Sequence, residues 1–339
     1  MKNPDFPDLR RYRTLVILCS PLLLFAVWLT VTLNFPYRGF EEERRIVEVP
    51  EGASASRVVS ILEAEGIVRS RLPIRIYLAL TLSSGRIQAG EYLFEKPATP
   101  AGVVGKLIRG EIQQRQVTIP EGAWLGEVVR AFVDSGIAEE ESLREVLNRP
   151  DPIRDLDPRA ETLEGFLFPD TYRFARGTPP EEIAEALVQR FRRALERITA
   201  DPCVLAEVDV HRTVILASLI EKETGQEGER ARISGVFHNR LRRSMPLQCD
   251  PTVIYALRRE NRYTGRITRK DLNDTSAYNT YKHAGLPPGP IANPGEKSLL
   301  AAVCPEETDF IYFVSMNTGY HFFSRSLTEH EAAVRRYQR

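Results

Sequence analysis

Acid–base chemistry in this chain is most readily placed at Glu221, which closes the apolar run Val214–Ile220. A carboxyl among apolar neighbours is pushed toward its neutral form. That is the state in which a general acid can protonate a leaving oxygen, as in cleavage of a glycosidic bond. At helical spacing Val214, Ala217, Ser218 and Glu221 share one face. These small or apolar neighbours would let a substrate approach closely and displace water. Glu223 lies two positions on, about 200° round the helix, so one cleft cannot face both acids. The alternative, favoured by composition alone, is a solvated helix end with Glu221 paired to Lys222 or Arg230.

Other chemistries find little support. His211, His238, His283, His321 and His330 are scattered, and no HExxH occurs. Ser218 has no GxSxG elbow around it, and no GxxxxGK[ST] phosphate loop is present. Of the four cysteines no two form a CxxC pair, so neither a metal nor a cofactor is expected. Cys19 lies in an apolar stretch, and one bridge is possible among Cys203, Cys249 and Cys304, with the pairing open. Lys+Arg and Asp+Glu both total 46, which gives no basic field for nucleic acid. Arg240, Arg242 and Arg243 read as a solvated helix face.

The elements that must position Glu221 follow from patterning. Residues 15–35 are uncharged and reach roughly 30 Å as a helix, enough to cross a bilayer core. The run exceeds the roughly 7–15 apolar residues of a cleaved signal and has no convincing cleavage site, so it reads as a retained anchor. Lys2, Arg10, Arg11 and Arg13 precede it, which keeps residues 1–14 cytoplasmic. Residues 36–45 read as a linker. A repeat follows: VEVPEGASASRVVSILEAEGI from Val47, and VTIPEGAWLGEVVRAFVDSGI from Val117. Each copy offers a short strand, a Pro-Glu-Gly turn and an amphipathic helix ending near Gly-Ile. With RLPIRIYLALTLSS as a helix and AGEYLF as a strand, residues 46–112 have the β-α-α-β order of a small sugar-binding module, followed by a helix opened by Thr99 and Pro100. Residues 139–160 read as a mobile connection. Beyond them the chain is mostly helical, over 180–199, 211–224, 233–243, 251–259 and 298–305. A hairpin around Asn317-Thr318-Gly319 ends the reading.

Five strings occur in order: LEGFLFPDTY (163–172), ASLIEKET (217–224), LQCDPTVIY (247–255), AYNTY (277–281) and GLPPGPIANPG (285–295). Together they resemble the endolytic murein transglycosylases of the YceG-like family, along nearly the whole chain. The resemblance implies an α+β architecture: one transmembrane helix (15–35), a LysM-like βααβ module (46–112) and a mostly helical YceG-like catalytic domain with a small β-sheet (116–339). It also implies a lytic reaction on the glycan strands of peptidoglycan. The catalytic glutamate, matched here to Glu221, would protonate the oxygen between MurNAc and GlcNAc. It would then take a proton from the MurNAc C6 hydroxyl as that attacks the anomeric carbon, leaving a 1,6-anhydro end. Glu164, Gln248, Asp250, Thr252, Tyr255, Asn279 and Tyr281 would contact substrate, although Asp250 before Pro251 could instead cap a helix. The resemblance implies strand termination at the outer face of the cytoplasmic membrane, beside wall-synthesis enzymes. Cys249 departs from the pattern, standing where the family commonly has threonine. A membrane-tethered glycan-binding scaffold without activity, and a lysozyme-type hydrolase, are the competing functions.

Overall fold

A computed structural model describes residues 9–204 and 207–338. The first eight residues of the expected cytoplasmic tail lie outside that description, as do the side chains of residues 9–19. The chain divides into two units, Met1–Gln114 and Arg115–Arg339.

The first unit opens with helix α1 (Leu9–Asn34). Leu22, Leu24, Trp28 and Val31 are exposed along it, whereas Leu33 near its end is buried. Among the described residues no helix is long and apolar enough to cross a membrane. The β-α-α-β order read from the sequence is present: β1 (Arg45–Val49), α2 (Ala55–Ala64), α3 (Arg71–Leu80) and β2 (Gly90–Phe94). β1 and β2 pair antiparallel, with Val47 opposite Tyr92. Helix α4 (Pro100–Arg109) follows, and its start is as expected: Thr99 caps it by accepting from the Gly102 amide at 3.0 Å. Val58, Val59, Leu62, Ile74, Tyr92 and Leu107 form the unit's own core.

The second unit begins with the second repeat, and the repeat goes further than its sequence suggested. β3 (Gln114–Thr118), α5 (Leu125–Asp134), α6 (Glu140–Leu147) and β4 (Thr171–Ala175) reproduce the β-α-α-β order. β3 pairs with β4, and the Ile119 amide donates to the Asp170 carbonyl at 2.9 Å. The segment 139–160 is therefore not a mobile connection. Leu143, Val146 and Leu147 on α6 and Ile153 beyond it are buried, so its charges decorate one face of an amphipathic helix.

Helices α7 (Pro180–Thr199), α8 (Val210–Glu223), α9 (Arg230–Arg242), α10 (Asp250–Arg259) and α11 (Glu296–Val303) follow. α8 is the axis of the unit and packs against α9, α10 and α11. Every side chain from Thr213 to Ile220 is buried, the signature of a helix apolar all round. A hairpin of β5 (Tyr312–Ser315) and β6 (His321–Ser324) and a last helix, α12 (Leu327–Tyr337), end the chain. Cys203 and Cys304 form a disulfide, and Cys249 stays free and buried.

Candidate active site

The face of α8 expected to admit substrate is closed. Val214, Ala217 and Ser218 are core residues; Ser218 donates to the Ile215 carbonyl at 2.7 Å and accepts from the Ile291 amide at 3.1 Å. The LEGF loop crosses α8 closely at Gly165. A Cβ there would meet Pro290 and Val214 side chains at 2.5 and 2.6 Å, and its φ of +88° also favours glycine.

Glu221 is not in solvent, but neither are its surroundings apolar. One carboxylate oxygen accepts from Arg230 at 3.2 Å and the other from the Gly295 amide at 2.9 Å. The Arg230 guanidinium is itself buried and also donates to Ser298 at 3.0 Å. Lys222 donates to the Gly122 carbonyl at 3.0 Å, beside the Pro-Glu-Gly turn that carries Glu121. Burial, followed by the charge of Glu221, raises the Glu121 carboxyl above its usual range. The pairing of Glu221 with Arg230, held open from the sequence, is thus realised in the interior and not at a solvated helix end. It ties α8 to α9 and to the end of the GLPPGPIANPG loop.

Two residues on, Glu223 has the environment sought for an acid. It ends α8, is half-buried, and its carboxyl is pushed up chiefly by desolvation. The nearby charge of Asp250 pushes in the same direction, while a hydrogen bond from the Cys249 thiol opposes it. Burial and the same carboxylate raise the Cys249 thiol well above its ordinary value. This thiol is therefore a hydrogen-bond donor and not a nucleophile.

Several of the motif residues collect here. Asp250, exposed at the start of α10, accepts from the Tyr281 hydroxyl at 2.5 Å and makes no side-chain cap. Burial and this bond hold the Tyr281 hydroxyl above its normal range. Gln248 is exposed with a left-handed φ of 53°. Arg240 is buried and donates to the Ile311 and Leu247 carbonyls at 2.6 and 2.8 Å. It is not the solvated residue expected. Its charge and that of His321 both favour the ionised form of Glu223, but more weakly than burial opposes it. His321 is oriented by Glu229, which accepts from its backbone amide at 2.9 Å and pairs with its Nδ1 at 2.8 Å.

Other expected contacts prove internal. Thr252 is fully buried and donates to the Cys249 carbonyl at 2.7 Å, with the Thr280 hydroxyl at 3.0 Å. Asn279 is fully buried; its amide donates to the Leu272 and Asp274 carbonyls at 3.2 and 2.7 Å, and its oxygen accepts from the Tyr281 amide. Neither side chain is open to a substrate. They fix the loops that present Asp250 and Tyr281. Glu164 and Tyr255 form a separate buried pair: the Tyr255 hydroxyl hydrogen-bonds Glu164, whose carboxylate also takes the Leu125 amide at 2.9 Å. Burial raises the Glu164 carboxyl to about 8.

Asn293 was not singled out in the sequence. Fully buried, it accepts from the Gly165 and Leu167 amides at 2.8 and 2.9 Å, and donates to the Ala123 carbonyl and to Glu164 at 2.9 and 3.2 Å. It pins three loops together. Its place in the GLPPGPIANPG string was the available signal.

A buried central helix ending in a desolvated glutamate, beside an aspartate and a tyrosine, has the form of a general-acid site. The chain matches the YceG-like family over residues 47–336 and belongs to that family. It is 34% identical to an endolytic murein transglycosylase of Bacillus subtilis (strain 168), across 86% of this chain and 84% of that one. It is 27% identical to an endolytic murein transglycosylase of Streptococcus pneumoniae (strain R6), where the match takes in 85% of this chain and 57% of that longer protein. Among solved structures, a YceG-like protein of Listeria monocytogenes superposes with a TM-score of 0.54 at 31% identity. That match covers 86% of this chain and 99% of the other.

Proposed function

We propose that this protein is an endolytic murein transglycosylase that cuts MurNAc–GlcNAc bonds within peptidoglycan strands, with Glu223 as its acid and base. Family membership and the named relatives support the reaction. The observation that carries the choice of residue is the raised carboxyl of Glu223 beside Asp250 and Tyr281. Glu221 has each carboxylate oxygen engaged within the protein, one by a buried guanidinium and the other by a backbone amide.

Neutral Glu223 gives its proton to the glycosidic oxygen, and the GlcNAc leaves with the hydroxyl so formed. Positive charge grows on the MurNAc ring as that bond breaks, and the Asp250 carboxylate is placed to stabilise it. The MurNAc C6 oxygen then bonds to C1 and passes its proton to the Glu223 carboxylate. The acid is restored, a 1,6-anhydro end remains and no water is consumed. One carboxyl serves twice, so the paired-carboxylate spacing of hydrolases is not required.

The remaining organisation belongs to the same proposal. Residues 15–35 anchor the chain once in the cytoplasmic membrane, with residues 1–14 inside. The support is the uncharged run and the exposed apolar side chains of α1. The Cys203–Cys304 bridge suits an oxidising compartment beyond that membrane. After the linker (36–45), residues 46–112 act as a LysM-like glycan-binding module and residues 116–339 as the catalytic domain. Confinement to newly made wall terminates nascent strands beside the synthesis enzymes.

Mass spectrometry of digested strands tests the chemistry. Glu223→Gln is expected to fold and to yield no anhydro ends, because the amide keeps the shape and loses the proton. Glu221→Gln is expected to cleave, with stability lowered by about 1–3 kcal/mol from the weakened buried pair. Anhydro ends from a folded Glu223→Gln protein would overturn the assignment. Reducing MurNAc ends from the native enzyme would indicate a hydrolase, and intact strands a scaffold.

A further inference from the structure

A cavity of about 940 Å³ lies in the second unit, and neither Glu221 nor Glu223 lines it. One side comes from the second β-α-α-β copy, with Trp124, Arg130 and Arg144; the other comes from α10, with Tyr255, Arg258 and Arg259. Glu164 also lines it, largely neutral near pH 7 because of its raised carboxyl.

Four arginines share the lining with Glu127, Glu140, Glu161 and Glu164, but they are unevenly paired. Arg144 pairs with Glu140 at 2.7 Å and Arg258 with Glu127 at 3.2 Å. Among the described residues, Arg130 and Arg259 have no carboxylate partner. Arg259 is nevertheless held in place, its guanidinium 5.9 Å from the Tyr255 ring centre and 5.3 Å from that of Tyr278. Arg258 sits likewise against Trp124, at 5.9 Å. His211, also lining the cavity, is fixed through its Nδ1 at 2.7 Å from buried Asp157.

Two guanidinium forks that form no ion pair, one of them stacked on two tyrosine rings, match an oxyanion carried on a sugar or peptide. Stacking orders Arg259 beforehand, which lowers the entropy lost on binding. A disaccharide alone needs rings and hydrogen bonds; guanidinium groups outside any ion pair suit a carboxylate.

We propose that this cavity binds the carboxylates of the peptide stems on the glycan strand, so that the enzyme prefers strands that carry their peptides. The inference rests on the reading of the chain as a wall-glycan lyase and adds to it a peptide-recognition site.

The chain has two tryptophans, and Trp124 lines the cavity. In the full-length protein with Trp28→Phe, held in detergent, Trp124 emission therefore reports occupancy. Three ligands are titrated: GlcNAc–MurNAc bearing its peptide, the same disaccharide without peptide but with its lactyl carboxylate, and a GlcNAc oligomer with no carboxylate. The peptide-bearing ligand is expected to bind roughly tenfold or more tightly than either of the others. Arg130→Ala and Arg259→Gln should each remove most of that preference and leave the other two affinities unchanged. Arg130 is exposed, so its variant retains the packing even if Arg259→Gln folds poorly. Equal binding of all three ligands overturns the proposal, and so does an equal loss for all three in the Arg130 variant. If such a protein still makes anhydro ends, only the cavity's role falls; if the native enzyme makes none, the lyase reading falls.

Discussion

At the scale of single residues, burial decides what each acid can do. Glu164 illustrates the thermodynamic side. Its carboxyl is raised from 4.5 to about 8 in the folded chain, so between those limits the native state holds a proton that the unfolded state has released. Stability contributed by this group is therefore full below about pH 4.5 and falls as pH rises toward 8, by a few kcal/mol across the window. Glu164→Gln mimics the neutral acid and should flatten that part of the pH–stability profile. Thermal melts at pH 5 and pH 8 check this: a native protein whose midpoint does not fall between them relative to the variant would contradict it. The same burial explains why the two acids on α8 could be read from the sequence but their surroundings could not. The apolar run before Glu221 looked like a cleft wall because a helical wheel shows polarity, not neighbours. In the folded chain that run is core, and partners far along the chain set the two acids apart: Arg230 and Gly295 engage Glu221, and Cys249 and Asp250 meet Glu223.

At the scale of elements, local signals served well where they were strong. The Thr99-Pro100 start of α4, the periodic run of α7 and the β5–β6 hairpin all stand where patterning put them. α6 was missed because charge dominates its composition and its buried residues are few; α12 was missed because it exposes most of its surface. The partner of β3 lies more than fifty residues away in β4, a pairing that local pattern does not encode. The disulfide is likewise a long-range feature, joining the loop after α7 to the end of α11 across 101 residues. Closing so long a loop restricts the unfolded chain, and the chain-entropy account gives roughly 4–5 kcal/mol. Cys203→Ser/Cys304→Ser should therefore lower the denaturant midpoint of the second unit and steepen its slope, because the freed unfolded chain exposes more surface. A midpoint equal to that of the native protein would show that the bridge adds nothing to stability.

At the scale of the whole molecule, each unit has a hydrophobic core drawn from its own residues. One core runs from Phe40 to Leu107 and the other from Val117 to Ala302. A unit whose apolar surface is buried within itself can fold without the rest of the chain. The acid Glu223, the ring of Asp250 and Tyr281, the disulfide and the Trp124 cavity all fall in the second unit. Residues 115–339 expressed alone should accordingly unfold in one cooperative transition, keep the Cys203–Cys304 bridge and release anhydro ends from soluble strands. What the fragment should lose is placement, since the apolar run proposed as the membrane anchor is gone, and with it any bias toward newly made wall. Calorimetry and product analysis on the fragment check both halves. A fragment without a cooperative transition would mean that its core needs the preceding residues. One that folds yet leaves strands intact would mean that residues before 115 take part in holding the substrate.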